Sequence, residues 1–194
     1  MLARSISFSF NPIIIWPVFL IVLFYGTGMS VEQQQLLWLP VSLLELVVPA
    51  VVLVVFMKLG YISDVDISQV KQRRLFFVLV LLAHTLATTL VVLYGSKEAA
   101  ELRSIGLAIE IVGTIITFFW KISGHLAVSS FVITAIVLLK GWQWAPLFVL
   151  LPVIAWSRVV LHKHTIAQTV AGSVLPISLV GVAIIVISFV EKSL

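Results

Sequence analysis

The sequence predicts an all-α fold, a polytopic transmembrane helical bundle of about seven spans, and three observations carry that prediction. Of 194 residues, 61% are hydrophobic and only 10% charged, too few charges to cover the surface of a soluble domain. Mainly apolar segments recur along the whole chain at lengths near the roughly 17–25 residues that a span requires. The cations between them concentrate in alternate loops. A single integral membrane domain over residues 1–194 is therefore expected, multi-pass and in the cell membrane.

The segments fall at 11–28, 36–58, 75–94, 104–120, 126–140, 144–160 and 166–190. No short apolar run with a small-residue cleavage site precedes the first, which reads as a retained helix rather than a signal peptide. Pro40 and Pro49 in the second, Pro152 in the sixth and Pro176 in the seventh are tolerable where neighbouring helices satisfy the freed carbonyls. The fifth and sixth are short and joined by "KGWQWAP" at 140–146, whose tryptophans suit a membrane interface. Glu45, His84 and Glu110 interrupt apolar runs, where an ionisable group is expensive. Interhelical hydrogen bonding, with the two carboxyls protonated, is the plainer reading; a proton path in a transporter is the other. Ala167, Ala171 and Gly172 read as close helix-packing positions.

Cysteine is absent, which excludes disulfides, thiolate metal sites and a cysteine nucleophile. The formal charge of +4 is spread over loops, so orientation and phosphate binding explain it better than nucleic acid does. If every segment crosses, the loops at 59–74, 121–125 and 158–165 emerge on one face. They carry Lys71, Arg73, Arg74, Lys121, His125, Arg158, His162, Lys163 and His164. The opposite loops hold Lys97, Arg103 and Lys140, diluted by Glu98 and Glu101.

Two stretches on the cationic face combine the residue types that handle phosphate. "WKISGH" at 120–125 offers Lys121, Ser123, Gly124 and His125, and "WSRVVLHKHTIAQ" at 156–168 offers Arg158, His164 and Gln168. Backbone amides at a helix start with a nearby hydroxyl form an anion cradle. Arginine matches phosphate oxygens in bidentate fashion. Two histidines can divide the labour of phosphoryl transfer, one attacking and one managing the proton. Gln168 follows His164 by four residues, on the same helical face.

In their order and spacing, "SGH" at 123–125 and "SR-x5-H" from Ser157 to His164 resemble the second and third signature motifs of the type 2 phosphatidic acid phosphatase superfamily. That superfamily comprises lipid phosphate phosphatases and is similar in its phosphate site to vanadium haloperoxidases. The resemblance covers residues 120–172 and implies a six-helix phosphatase core plus one span. It implies that His164 attacks phosphorus to form a phosphohistidine, and that His125 protonates the leaving alkoxide and then activates water. Arg158 would hold the phosphoryl oxygens, Ser123 and the Gly124 amide would complete the cradle, and no metal or cofactor is implied. The partners implied are a lipid phosphate and the bilayer, not nucleic acid. Phosphatidic acid, phosphatidylglycerol phosphate and polyprenyl phosphates or diphosphates are the candidate substrates.

Three positions depart from the pattern. Gln168 stands where an aspartate orients the nucleophilic histidine, Ile122 replaces a proline, and the first motif is broken at Ile67 and Leu75. Arg74, then Lys71, are the expected substitutes for its cations. Lys121 is open between a snorkelling anchor and a phosphate ligand, whereas His162 and Lys163 read as interfacial residues. Cation counting places the site in the cytoplasm, and the resemblance implies an outward-facing one. A non-catalytic binder or carrier of phosphorylated lipids is the alternative function, supported by Gln168 and the broken first motif.

Overall fold

Each apolar segment is helical in the computed structural model, which describes residues 1–193. No strand occurs among the described residues. Six stretches are long and apolar enough to cross a membrane: Leu2–Gly26, Val31–Lys58, Val70–Tyr94, Lys97–Phe119, Trp142–Val160 and Ile166–Ser193. Gly124–Lys140 is a shorter apolar helix. This is the architecture of a multi-pass membrane protein, all-α as the sequence predicts.

Three of these stretches are composite. The first consists of α1 (Leu2–Ser9) and α2 (Pro12–Gly26). Asn11 starts α2 by accepting the Ile13 amide on Oδ1 at 3.0 Å, and Pro12 follows at a position where no amide is needed. The nine residues before Phe10 thus include a helix of their own, which the sequence reading, starting at 11, did not expect. The second stretch runs from α3 (Val31–Ser42) through a π-helical turn at Leu43–Val47 into α4 (Val48–Lys58). Pro49 explains the π turn. It has no amide for the Glu45 carbonyl, and its ring would collide with that carbonyl in a regular helix. The coil widens instead, and the Val48 amide bonds to the Leu43 carbonyl five residues back. The single-helix stretches are α5 (Val70–Tyr94), α6 (Lys97–Phe119), α7 (Gly124–Lys140) and α9 (Ile166–Ser193). A 3₁₀ segment, Trp142–Val149, leads into α8 (Leu150–Val160).

The helices sort into two compact units, Met1–Ile15 with Ser123–Leu194, and Trp16–Ile122. In the first, α1 packs on α8, and α7 lies against α8 and α9. Its apolar core is Leu126, Ile133, Val137, Leu151 and Ile154. In the second, α5 and α6 form the main antiparallel pair, and α3, the π turn and α4 pack on α5. The lipid-facing surfaces are apolar, with Leu82, Leu86 and Leu93 of α5 and Ile185 and Phe189 of α9 all exposed. Inside the helices, the hydroxyls of Thr85, Thr88, Thr89, Thr117 and Thr134 donate to carbonyls one turn back, so none is left unmet.

The second unit is built around an ion-pair core. Arg103, in the second turn of α6, is fully buried. Its Nε donates to Glu45 Oε1 at 2.5 Å, and its Nη1 lies 3.2 Å from Glu110 Oε1. Trp16 Nε1 donates to Glu45 Oε2 at 2.8 Å, and His84 Nδ1 lies 2.7 Å from Glu110 Oε2. Interhelical hydrogen bonding therefore holds for Glu45, His84 and Glu110, with one correction. Arg103 is not a loop cation, because α6 begins at Lys97 and places residue 103 on its inner face. Both carboxyls face the one Arg103 guanidinium, which stays charged.

Removing Arg103 leaves the buried Glu45 and the partly buried Glu110 without their cation. Arg103→Met is expected to lose about 3–5 kcal/mol, measured as unfolding in detergent or bicelles. The double variant Glu45→Gln/Arg103→Met should recover part of that loss. Wild-type stability in the single variant would remove the ion pair from the account of this unit.

Candidate functional site

The turn joining α8 to α9 sets the geometry of the first unit's site. α8 ends in a double cap. The Lys163 amide bonds to the Arg158 carbonyl at 3.0 Å, and the His162 amide bonds to the Val159 carbonyl at 2.9 Å. These are the two bonds of a Schellman motif, with His162 in the left-handed conformation (φ +53°) that the motif demands. His162 thus has a backbone task. The His164 amide also reaches the Arg158 carbonyl, at 3.3 Å.

α9 begins at once with a capping box. Thr165 Oγ1 accepts the Gln168 amide at 3.3 Å, and Gln168 Oε1 accepts the Thr165 amide at 3.1 Å. The donating Thr165 N–H identifies that side-chain atom as the oxygen of the carboxamide. His164 Nδ1 lies 3.2 Å from the same oxygen, so Nδ1 carries the proton and donates. The lone pair is then on Nε2. His164 itself is buried, although Thr165 and Gln168 next to it are more open.

On the inner side of the turn, Arg158 is buried beside His125 and Ser7. Arg158 Nη1 donates to Ser7 Oγ and lies 3.3 Å from His125 Nε2. A guanidinium is only a donor, so Nε2 of His125 accepts and the ring is neutral in this arrangement. Ser7 comes from α1, where Ala3 and Ser7 form the buried face one turn apart. Sequence reasoning missed it. An exposed-looking "SISFS" gives no signal that one serine will reach an arginine 151 positions away.

Ser123 precedes α7, with Gly124 and His125 in the helix's first turn. First-turn amides have no intrahelical partner. The Ser123 amide, by contrast, is engaged with the Gln168 carbonyl at 3.3 Å. Ser123 Oγ is buried and has no hydrogen-bond partner among the described residues. α9 approaches this point closely because residue 172 is glycine. A Cβ there would stand 2.7 Å from the Ser123 carbonyl oxygen and 3.1 Å from Leu126 Cβ.

Ser123, Gly124, His125, Arg158, His164 and Gln168 thus all belong to one unit. Lys121, Lys71 and Arg74 belong to the other. Arg74 Nη2 donates to the Phe118 carbonyl at 3.0 Å, and its guanidinium lies 5.7 Å from the Phe118 ring. It caps the end of α6. Lys71 is exposed in the first turn of α5, and Lys121 is half-buried. Arg73, counted from the sequence among the loop cations, is buried instead. Its three nitrogens donate to the carbonyls of Ile67 at 2.7 Å, Ile122 at 3.1 Å and Asp66 at 3.3 Å. It thereby fixes Ile67 in a left-handed conformation (φ +46°) that a β-branched residue rarely adopts.

No protein-family profile, curated protein or solved structure matches the chain.

The caps predict a contrast between neighbours. Gln168→Ala removes one side of the capping box and should cost about 0.5–2 kcal/mol. His162→Gly relieves a left-handed residue and should cost nothing. Unfolding of the two variants decides it, and equal losses would overturn the assignment of His162 to the helix cap. Gly172→Ala should cost about 1–3 kcal/mol, because α9 must move away from a backbone atom.

Proposed function

We propose that the first unit is the catalytic part of a membrane-embedded lipid phosphatase, which hydrolyses a phosphate monoester or diphosphate of a lipid through a phosphohistidine. One observation carries the reading: Gln168 Oε1 holds the Nδ1 proton of His164, so the lone pair needed for attack is on Nε2. Arg158 and His125 in direct contact, and the Ser123 hydroxyl at the start of α7, which has no partner among the described residues, supply the other parts. The resemblance to the type 2 phosphatidic acid phosphatases points the same way. A membrane-spanning chain supports a substrate whose tails stay in lipid while its headgroup reaches the site.

The proposed steps balance with these side chains, the substrate and water. Phosphoryl oxygens take over Arg158, which releases Nε2 of His125, and that nitrogen takes up a proton from water before the first turnover. Nε2 of His164 attacks phosphorus, the bond from phosphorus to the lipid oxygen breaks, and His125 gives that oxygen its proton. His125 then removes a proton from water, and the resulting hydroxide displaces His164 from phosphorus. Inorganic phosphate leaves, with His125 again protonated and His164 neutral. Arg158 and the Ser123 hydroxyl stabilise the charge spread over the equatorial oxygens.

The second reading is a binder of phosphorylated lipids, favoured by Gln168. Its carboxamide fixes the imidazole tautomer but adds no negative charge to stabilise the cation formed on attack. Purified protein in detergent–lipid micelles, with a chelator present, should release phosphate from at least one of phosphatidic acid, phosphatidylglycerol phosphate and polyprenyl phosphates. His164→Ala should be slower by at least about a thousandfold, and Arg158→Lys by about 10²–10³. Equal null results for wild type and His164→Ala across the panel would leave the binder. Gln168→Glu keeps the capping box and places a carboxylate on Nδ1, so it should be faster than wild type.

A further inference from the structure

The ion-pair core of the second unit is not charge-balanced by its permanently charged groups. Arg103 supplies one positive charge to two carboxylates, Glu45 from the π turn and Glu110 from α6. His84 of α5 is the fourth member, and these are the charged groups that face its ring. From α2 comes Trp16, whose indole does not titrate and which stacks on the imidazole at 5.3 Å with the planes 12° apart. With His84 neutral the cluster would carry a net negative charge among membrane-spanning helices, where an unbalanced charge costs several kcal/mol. One added proton on the His84–Glu110 pair brings the sum to zero.

The geometry provides for that proton. His84 Nδ1 lies 2.7 Å from Glu110 Oε2, the distance of a charge-assisted bond. The opposite ring nitrogen, Nε2, is buried and has no hydrogen-bond partner among the described residues. A structural lock would need only the Nδ1 contact. A second polar atom aimed into the protein without a partner is the open end of a relay.

We propose that His84 and Glu110 form an intramembrane proton-binding site, which takes up and releases one proton through Nε2 of His84, with water as donor and acceptor. On release, the Nε2–H bond breaks, its proton passes to water, and the imidazolium becomes neutral imidazole. The cluster then has two carboxylates on one guanidinium. Glu110, less strongly held by His84, competes with Glu45 for Arg103. Glu45 sits on the π turn, so the proton state is linked to the one helical irregularity in α3–α4. The inference uses no residue of the proposed phosphatase site and stands apart from it.

The test is nitrogen NMR of the full chain in lipid nanodiscs with ¹⁵N-labelled histidine. In a chain carrying His125→Gln, His162→Gly and His164→Gln, His84 gives the only imidazole signals. Both ring nitrogens should be protonated at the acid end of a titration over about pH 5–9, with one proton lost as the pH rises. Glu110→Gln removes the balancing carboxylate, and the ring should then be neutral throughout. A wild-type His84 that keeps one protonation state over the whole range would make the cluster a static lock and overturn the proposal. So would a titration that Glu110→Gln leaves unchanged.

Discussion

Within membrane-spanning helices, every charge and every polar backbone group must be answered by the chain itself, and the buried arginines show how this constraint organises each unit. Arg103 draws Glu45, Glu110, His84 and Trp16 from four separate elements onto one guanidinium. Arg73 binds three carbonyls, and Arg158 holds Ser7 and His125. Apolar packing between helices gives little specificity when lipid tails are as apolar as leucine. Register must come from such polar contacts and from small residues. Gly172, which lets α9 approach Ser123, and Ser130, whose hydroxyl donates to the Ser173 carbonyl at 2.7 Å, fix α7 against α9 in this way.

Spans were legible because lipid imposes a length and an apolar composition that no soluble helix requires. Their ends were less so. α5 begins at Val70 and α6 at Lys97, several residues before the apolar runs, because a helix continues through charged turns as long as its amides find carbonyls. That extension turned Arg103 from a loop cation into the centre of a core. Arg73 was hidden for a related reason. Nothing in "KQRR" tells which cation faces inward, and the answer depends on a left-handed Ile67 whose carbonyl needs a donor. Ser7 carried no signal at all, since its role depends on α1 packing against α8.

The spacing of the candidate-site motif has a separate structural reason: it is the shortest route from one helix to the next. Counting from Arg158, the Schellman motif uses the carbonyls of 158 and 159 and the amides of 162 and 163. The capping box then uses 165 and 168. Only His164 lies between the two caps. A five-residue gap from arginine to histidine is therefore what two abutting caps require, and an insertion would break one of them. Gln168 is equally determined, because a capping box takes glutamine or glutamate at that position.

This accounting separates what the fold needs from what it does not. Gln168 and His162 have backbone tasks that explain their presence without any chemistry. The His164 imidazole serves neither cap, since the residue before an N-cap takes no part in a capping box and is often a hydrophobic group that packs against the first turn. A buried imidazole in that place, with its tautomer set by the cap's own glutamine, departs from the packing rule at a cost in apolar contact. Arg158 divides its roles: its carbonyl serves the turn, while its guanidinium holds Ser7 and His125. The caps account for the neighbours but not for the His164 imidazole or the Arg158 guanidinium, and these are the two groups that the proposed phosphatase reading employs.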